Sequence, residues 1–572
     1  MGTGGRMRIE DWFLTNEERH NPATRLEPWS TGNDVRPLVH GATYFAELKA
    51  CLDSLDKDDL LLFADWRGDP DERLTPDGPT IGRAMADAAG RGALVRGLIW
   101  RSHLDWLRFS ASENRHLGED IEASGGQALL DMRTKPGGSH HQKFVILRHD
   151  RDPSADVAFL GGIDLCHSRR DDARHEGDPQ SAPMPKVYGP RPPWHDVQVA
   201  IKGPAVAQVE QVFCERWEDP APETRAPLRR LRDHLGHLDD APALPCPGPP
   251  PPPAGHHNVQ LLRTYPARRR SYPFAPDGER SIAHAYRKVL GRARSLVYLE
   301  DQYLWSTDVI EPFAEALERE PGLRMIVIVP RHPDQDGWLA GPASLIGRTD
   351  ALGRLQDAGG DRVAIYDLEN RQGTPVYVHA KVCVVDDIWA TVGSDNVNLR
   401  SWTYDSELSC AVLDEHEDPR PPYGALRFAR ELRLTLMSEH LDLDVSPVPS
   451  DSGAFGASAA LGASAASGPS GASGASAASG PSGASAAADA FGGFGADELC
   501  DPVEAFEAFA ESAARLESWH EGGEKGPRPP GRLRPHPSPR LSWMQKLMAL
   551  PLYRFAVDPD GRPPSLRRSR GF

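Results

Sequence analysis

PVYVHAKVCVVDDIWATVGSDNVNLRSWTYDSELSCAV, residues 375–412, is the stretch from which the fold is read. On an extended strand, residues two apart share a face, so His379 and Lys381 point the same way. The apolar run at 382–385 carries that strand into a core, and Asp386 closes the pattern HxKxxxxD. After six more residues, Gly393-Ser394-Asp395-Asn396 forms a turn. Glycine there lets backbone approach a ligand closely, and the Ser394 hydroxyl and Asn396 amide can both donate to an oxyanion.

Roughly 240 residues earlier the same arrangement recurs as SHHQKFVIL (139–147) followed by VAFLGGIDLCHSRRD (157–171). His141 and Lys143 share a strand face, while His140 and Gln142 look the other way. The turn is now Gly161-Gly162-Ile163-Asp164. Each copy is preceded by a helix-like stretch and an apolar strand, at 44–55 and 60–66 in the first half and 282–293 and 296–303 in the second. Further βα signals lie at 93–100 and 323–330. Strands alternating with helices predict an α/β layered sheet, and the same order met twice predicts an internal duplication. A lone HxK beside a strand would be read as solvated loop; paired copies in a duplicated frame reverse that reading.

Two interruptions set the domain limits. Residues 242–258 (PALPCPGPPPPPAGHHN) impose extended polyproline geometry. Residues 451–496 are almost wholly Gly, Ala, Ser and Pro, and GASAASGPSGAS at 462–473 repeats unchanged at 474–485. Such a repeat cannot bury enough apolar surface to offset its ordering entropy, so a flexible insert is expected. The predicted division is 1–241 for the first half, 242–258 for a linker, 259–450 for the second half, 451–496 for the insert and 497–572 for a C-terminal helix and Pro/Arg-rich strap. In the last piece Val503, Phe506, Phe509, Ala513 and Leu516 recur at helical spacing, and LSWMQKLMALPLYRF (541–555) is expected to pack as a terminal strap, with a membrane-lying helix as the alternative.

The 572 residues exceed one small core, and an apolar fraction of 39% with 13 Trp supports a packed body. A net charge of −17 argues against broad binding to nucleic acid, which needs basic surface to neutralise phosphates. Seven scattered cysteines without a CxxC pair predict reduced thiols rather than a disulfide frame or a zinc site. No apolar leader opens the chain and no apolar run approaches membrane-spanning length, so a cytoplasmic or peripheral membrane protein is expected.

HHQK, GGIDLC, PWHDVQVAIKGPAV (193–206), LEDQY (299–303) and the whole HAKxxxxD-to-GSDN block resemble the phospholipase D superfamily, or HKD family, and within it the larger phospholipid-cleaving members. The resemblance spans residues 29–439. It implies two phospholipase D-like α/β sandwich domains, each a central, mostly β sheet flanked by helices, with one active site at their interface. The chemistry fits the residues directly. Phosphodiester cleavage needs a nucleophile, an acid for the leaving alkoxide and positive donors for the non-bridging oxygens. Two histidines that start in opposite protonation states fill the first two roles, and two lysines bring compact positive charge.

The resemblance further implies a covalent phosphohistidine, with His141 as nucleophile and His379 as general acid. His379 would then deprotonate water, giving hydrolysis, or another alcohol, giving transfer. No cofactor and no metal are implied. Glu407 and Asp171 occupy positions that suit orienting a histidine. The expected catalytic set is His141, Lys143, His379, Lys381, Asp386, Ser394, Asn396 and Glu407, although a structural role is the simpler one for Asp386. Gly162, Asp164 and Gly393 are expected against the substrate, and His140 either there or packed into the core. His195 and Asp196 read as framework, and Glu300 and Gln302 as supports of a strand near the cleft. Two departures stand out: Arg148 holds the eighth position of the first motif, where the second has Asp386, and Gly162/Asp164 stand where the second half has Ser394/Asn396. An ionised Asp164 would repel phosphate, so orienting the lysine or backbone suits it better.

The leading expectation is a monomer that cleaves phosphatidylcholine- or phosphatidylethanolamine-like diesters at a membrane surface, with phospholipid as partner and no nucleic acid. A nuclease or DNA-adduct phosphodiesterase is the second reading, opposed by the acidic charge. An effector or non-catalytic scaffold is the third; the retained His and Lys pairs oppose a dead site.

Overall fold

The computed structural model describes residues 8–102, 111–221, 244, 247–334, 340–443, 498–538, 541–569 and 571–572. The repetitive insert at 451–496 and Cys246 lie outside them. The six described cysteines are free thiols.

The first half contributes β1 (Ser30–Val39), β2 (Leu60–Asp65), β3 (Leu94–Trp100), β4 (Gln127–Asp131), β5 (Phe144–Arg148), β6 (Val157–Gly161), β7 (Trp194–His195) and β8 (Val197–Lys202). The second contributes β9 (His257–Tyr265), β10 (Glu279–Arg280), β11 (Leu296–Glu300), β12 (Arg324–Ile328), β13 (Val363–Glu369), β14 (Pro375–Val378), β15 (Val382–Val385), β16 (Trp389–Gly393) and β17 (Glu407–Asp414); β18 (Leu533–Pro535) comes from the C-terminal piece. Pairing in the first half runs β1-β8-β6-β5-β2-β3-β4, with only β2-β3 and β3-β4 parallel. Pairing in the second runs β9-β17-β16-β15-β11-β12-β13, again with only the last two pairs parallel. The duplication predicted from the motifs is thus a duplication of strand order. β18 extends the second sheet beside β13, and β1 meets β9 where Asn33 faces His257.

The central strands read as continuous apolar runs because both their faces are covered. Val382 and Val384 of β15 face one cluster, Cys383 and Val385 the other, as the two-residue pleat requires. The outer clusters put helices Gly41–Ser54 and Ile81–Gly90 on one sheet and Ser281–Leu290 and Thr307–Arg319 on the other. The inner cluster is common to both halves: Phe144, Ile146, Leu160 and Val199 join Val382, Val392, Leu408 and Cys410, with helices Ala205–Trp217 and Arg427–His440. At ~25 cal/mol per Å² of buried apolar area, this shared core is the main force holding the halves together.

Helix Pro502–Glu521 starts where the Asp501 carboxylate accepts from the Val503 and Glu504 amides, with Pro502 in the first turn. It buries Phe509, Ala513 and Leu516 on the second half, whereas Val503 stays exposed in that first turn.

Candidate active site

The two HxK segments are each laced to the opposite half. The amide of His141 donates to the Ser406 carbonyl at 2.9 Å, and that of Ser406 to the Ser139 carbonyl at 3.0 Å. The amide of His379 donates to the His195 carbonyl at 2.8 Å, beside the parallel pairing of β14 with β7. This lacing brings a carboxylate of one half to the imidazole of the other. His141 Nδ1 lies 2.9 Å from Glu407 Oε2, and His379 Nδ1 lies 2.7 Å from Asp196 Oδ2. In both rings Nε2 is the nitrogen left for a substrate.

Asp196 and Glu407 are the same position in the duplicated frame. Gly161 faces Gln198 and Gly393 faces Ser409, and each carboxylate precedes its partner residue by two. Asp196, read from the sequence as framework, is therefore the counterpart of Glu407. Aligning PWHD against YDSE through the two glycine turns would have found it. Asp171, expected to orient a histidine, instead accepts from the Trp194 and Gly177 amides at 2.8 and 3.1 Å and builds the loop under the site.

Both lysines are all but buried. Lys143 donates to the His141 carbonyl at 2.9 Å, lies 3.4 Å from Asp164 Oδ1 and sits 5.8 Å from the Trp66 ring centre. Lys381 donates to the His379 carbonyl and, at 3.1 Å, to Gln302 Oε1. Burial, with Lys143 adding to it against the pull of Asp196, lowers the Lys381 ammonium to about 8. Aromatic rings wall the cleft, Trp66 6.0 Å from His141 and Trp194 5.0 Å from His379 between centres.

Several expected contacts are redirected by this packing. Asp164 was expected against substrate; its carboxylate is engaged by Lys143 and by Arg169 at 3.2 Å, and these two outweigh burial and keep it ionised. It orients cations. Ser394 was expected to donate to an oxyanion, but its hydroxyl donates to Glu407 Oε2 at 2.5 Å and accepts from the Leu408 amide. Gly162, its counterpart, has no room for a side chain, because a Cβ would stand 2.2 Å from Asp196 Oδ1. Gly393 is equally tight against Ser409 Oγ at 2.0 Å. Asn396 is buried in its turn, where its carbonyl accepts from the Asn398 amide.

Two residues leave the site. His140 points to the opposite strand face, fully buried beside Gln142, where burial and then Arg216 push its pKa down to about 3. Asp386 lies at the other end of β15 from Lys381, where its carboxylate accepts from the amides of Arg294, Ser295 and Leu296 and anchors the start of β11. Arg148 stands at the matching strand end and pairs with Asp156 at 2.8 Å and with Glu210. The strand end is held in both halves, with the charges reversed.

Burial, and next the neighbouring lysines, hold both His141 and His379 well below the ordinary imidazole range. Burial, and next Asp405, lifts Glu407 to about 8; burial also raises Asp196. Without substrate, burial therefore disfavours an imidazolium paired with its carboxylate in either dyad.

Behind His379 lies a second polar cluster. His40, His175, His195 and Glu439 bring four potential ligand atoms within 4.8 Å of one another, and His195, Glu300 and His440 form a second such group. These residue types could hold a divalent cation. Burial alone would lower His195, yet Glu300 at 2.6 Å, and then Glu439, lift it to about 10, so imidazolium can balance the carboxylates. No local pattern points to this cluster, because its members lie on five separate segments of the chain.

Residues 126–310 match the family model described as Phospholipase D, and residues 286–418 match Cardiolipin synthase, PLD-like domain. Phospholipase D alpha 1 of Arabidopsis thaliana is 25% identical over 484 residues, covering 64% of this chain and 58% of the relative. The Oryza sativa subsp. japonica protein of the same name is 25% identical over 483 residues, with 64% and 58% covered. The chain thus spans 58% of the length of these relatives. Among solved structures, phosphatidylserine synthase of Haemophilus influenzae Rd KW20 aligns at 14% identity and a TM-score of 0.45, covering 66% of this chain and 82% of its own. The chain belongs to the phospholipase D superfamily.

Proposed function

We propose that the chain is a phospholipase D-type phosphodiesterase that cleaves the head-group phosphodiester of glycerophospholipids. The observation that carries this reading is the reciprocal pair of dyads, His141 with Glu407 and His379 with Asp196, each joined across the two halves. In this mechanism Nε2 of His141 attacks phosphorus while Nε2 of His379 gives its proton to the departing head-group oxygen. A phosphatidyl–His141 intermediate results. Water then loses a proton to His379 and attacks phosphorus, releasing phosphatidic acid and restoring His141. Lys143 and Lys381 offset charge on the non-bridging oxygens. An anionic diester entering between them favours imidazolium at His379, which the ligand-free cleft disfavours.

Transfer to an alcohol in place of water is the second reading, favoured by the match of residues 286–418 to the cardiolipin synthase domain. Choline release from phosphatidylcholine vesicles, with and without a primary alcohol, tests both. Phosphatidic acid alone supports hydrolysis and phosphatidyl-alcohol supports transfer. Cleavage of single-stranded DNA with inert vesicles would overturn the lipid reading. Rapid quenching with labelled substrate should place the phosphoryl group on His141; label on His379 reverses the two roles.

A further inference from the structure

Most large apolar side chains left exposed among the described residues lie on one element. Val187, Tyr423 and Val503 are scattered, whereas Trp543, Met544, Leu547, Met548, Leu552 and Phe555 all belong to helix Trp543–Leu552 and the wide turn Tyr553–Val557 that continues it. At about 100° per residue these six fall within one half of the helical circumference. Leu547 is 64% and Phe555 83% exposed. The pattern inverts that of a surface helix, whose apolar stripe normally faces the core.

The opposite side of the helix is fixed. Ala549 and Tyr553 are buried against Ala343 and Ile346, and Gly347 is a glycine because a Cβ there would stand 2.4 Å from the Tyr553 hydroxyl oxygen. The strap is then tied to the rim of the cleft. Arg400 donates to the Ala556 carbonyl at 2.7 Å and pairs with Asp405 at 2.7 Å, and Asp405 accepts from the Ser139 amide, two residues before His141. Gly561 donates through its amide to Thr403 Oγ1 at 2.8 Å. The strap is therefore joined through Arg400 and Asp405 to the segment that carries His141.

Its charge selects among occupants. Residues 541–557 contain no acidic side chain, in a chain with 82 of them. Arg554, Arg567 and Arg568 are exposed on the strap and the short helix after it. A tryptophan and a phenylalanine on an apolar face flanked by arginines suit the head-group region of an anionic bilayer.

From this we infer that the outer face of the strap is a bilayer-docking surface, inserting Trp543, Leu547, Met548 and Phe555 among the acyl chains while the arginines meet anionic head groups. The inference rests on the lipid reading above and adds where the enzyme seats itself. Anionic phosphatidic acid, the product, would strengthen the seating.

The test uses the full chain and a Leu547→Asp/Met548→Asp/Phe555→Asp variant, floated with vesicles of phosphatidylcholine with and without phosphatidylserine. The wild type should float with phosphatidylserine vesicles and lose this at high salt, and the variant should partition at least about tenfold less. Choline release from vesicles should fall alongside, while release from short-chain, monomeric dibutyryl phosphatidylcholine stays unchanged. If the triple variant misfolds by circular dichroism, Phe555→Ser and Arg554→Gln/Arg567→Gln/Arg568→Gln carry the same comparison. Equal flotation of wild type and variant overturns the inference. So does a wild-type dimer that the variant dissolves, since the occupant is then a second copy. If the wild type floats and the variant does not, but neither diester is cleaved, docking stands and the catalytic reading falls.

Discussion

Asp196 and Asp171 stand 25 residues apart in a stretch rich in charge, and only their partners separate them. Asp196 meets an imidazole nitrogen and Asp171 meets backbone amides. Asp196→Asn keeps the shape but presents the wrong hydrogen-bonding partner to His379 Nδ1, so turnover should fall by roughly 10³–10⁴, as when a catalytic dyad loses its tautomer. Asp171→Asn should instead lower the melting temperature more than turnover. Head-group release and thermal melts on the two variants check this, and equal losses of activity would remove Asp196 from the mechanism. The depressed imidazoles give a second expectation. The acid must be protonated, and it is disfavoured in the free cleft but favoured once the diester is bound. The alkaline limb of the kcat profile should therefore lie at higher pH than that of kcat/KM, which reports the free enzyme. Coincident limbs would show that bound phosphate does not act on His379.

At the scale of elements, the HxK strands are fixed at both ends. The cleft ends carry the dyads, and the far ends are anchored by Asp386 in one half and by Arg148 in the other. Arg148→Ala would leave Glu210 buried without its counter-charge and Asp156 with only His149 nearby, at a cost of about 3 kcal/mol. Asp386→Ala should cost ~1–2 kcal/mol through the amides it leaves without an acceptor. Chemical denaturation should register both losses, while the diester KM stays close to wild type because neither residue reaches the cleft. A several-fold rise in KM for Asp386→Ala would return it to the site. The strand pattern of both anchors was legible in the sequence. What Arg148 does there was not, because Asp156 reaches it from the turn before β6 and Glu210 from helix Ala205–Trp217.

Across the whole molecule, one apolar core takes side chains from both sheets, and each dyad takes one residue from each half. Residues 1–241 produced alone should expose the inner sheet face, aggregate, and show no head-group release; co-expression with residues 242–572 should restore some. Activity from the first half alone would contradict the shared site. The sequence alone carries the duplication, the two HxK faces and the glycine turns, because these follow from the two-residue pleat and from the freedom of glycine within a contiguous stretch. It did not determine the pairing of His141 with Glu407 across 266 positions, or of His379 with Asp196 across 183. Nor did it show that the face left outside by helix Trp543–Leu552 is the apolar one. Those depend on how two sheets dock and which side of an element is already covered, and local periodicity carries no record of either.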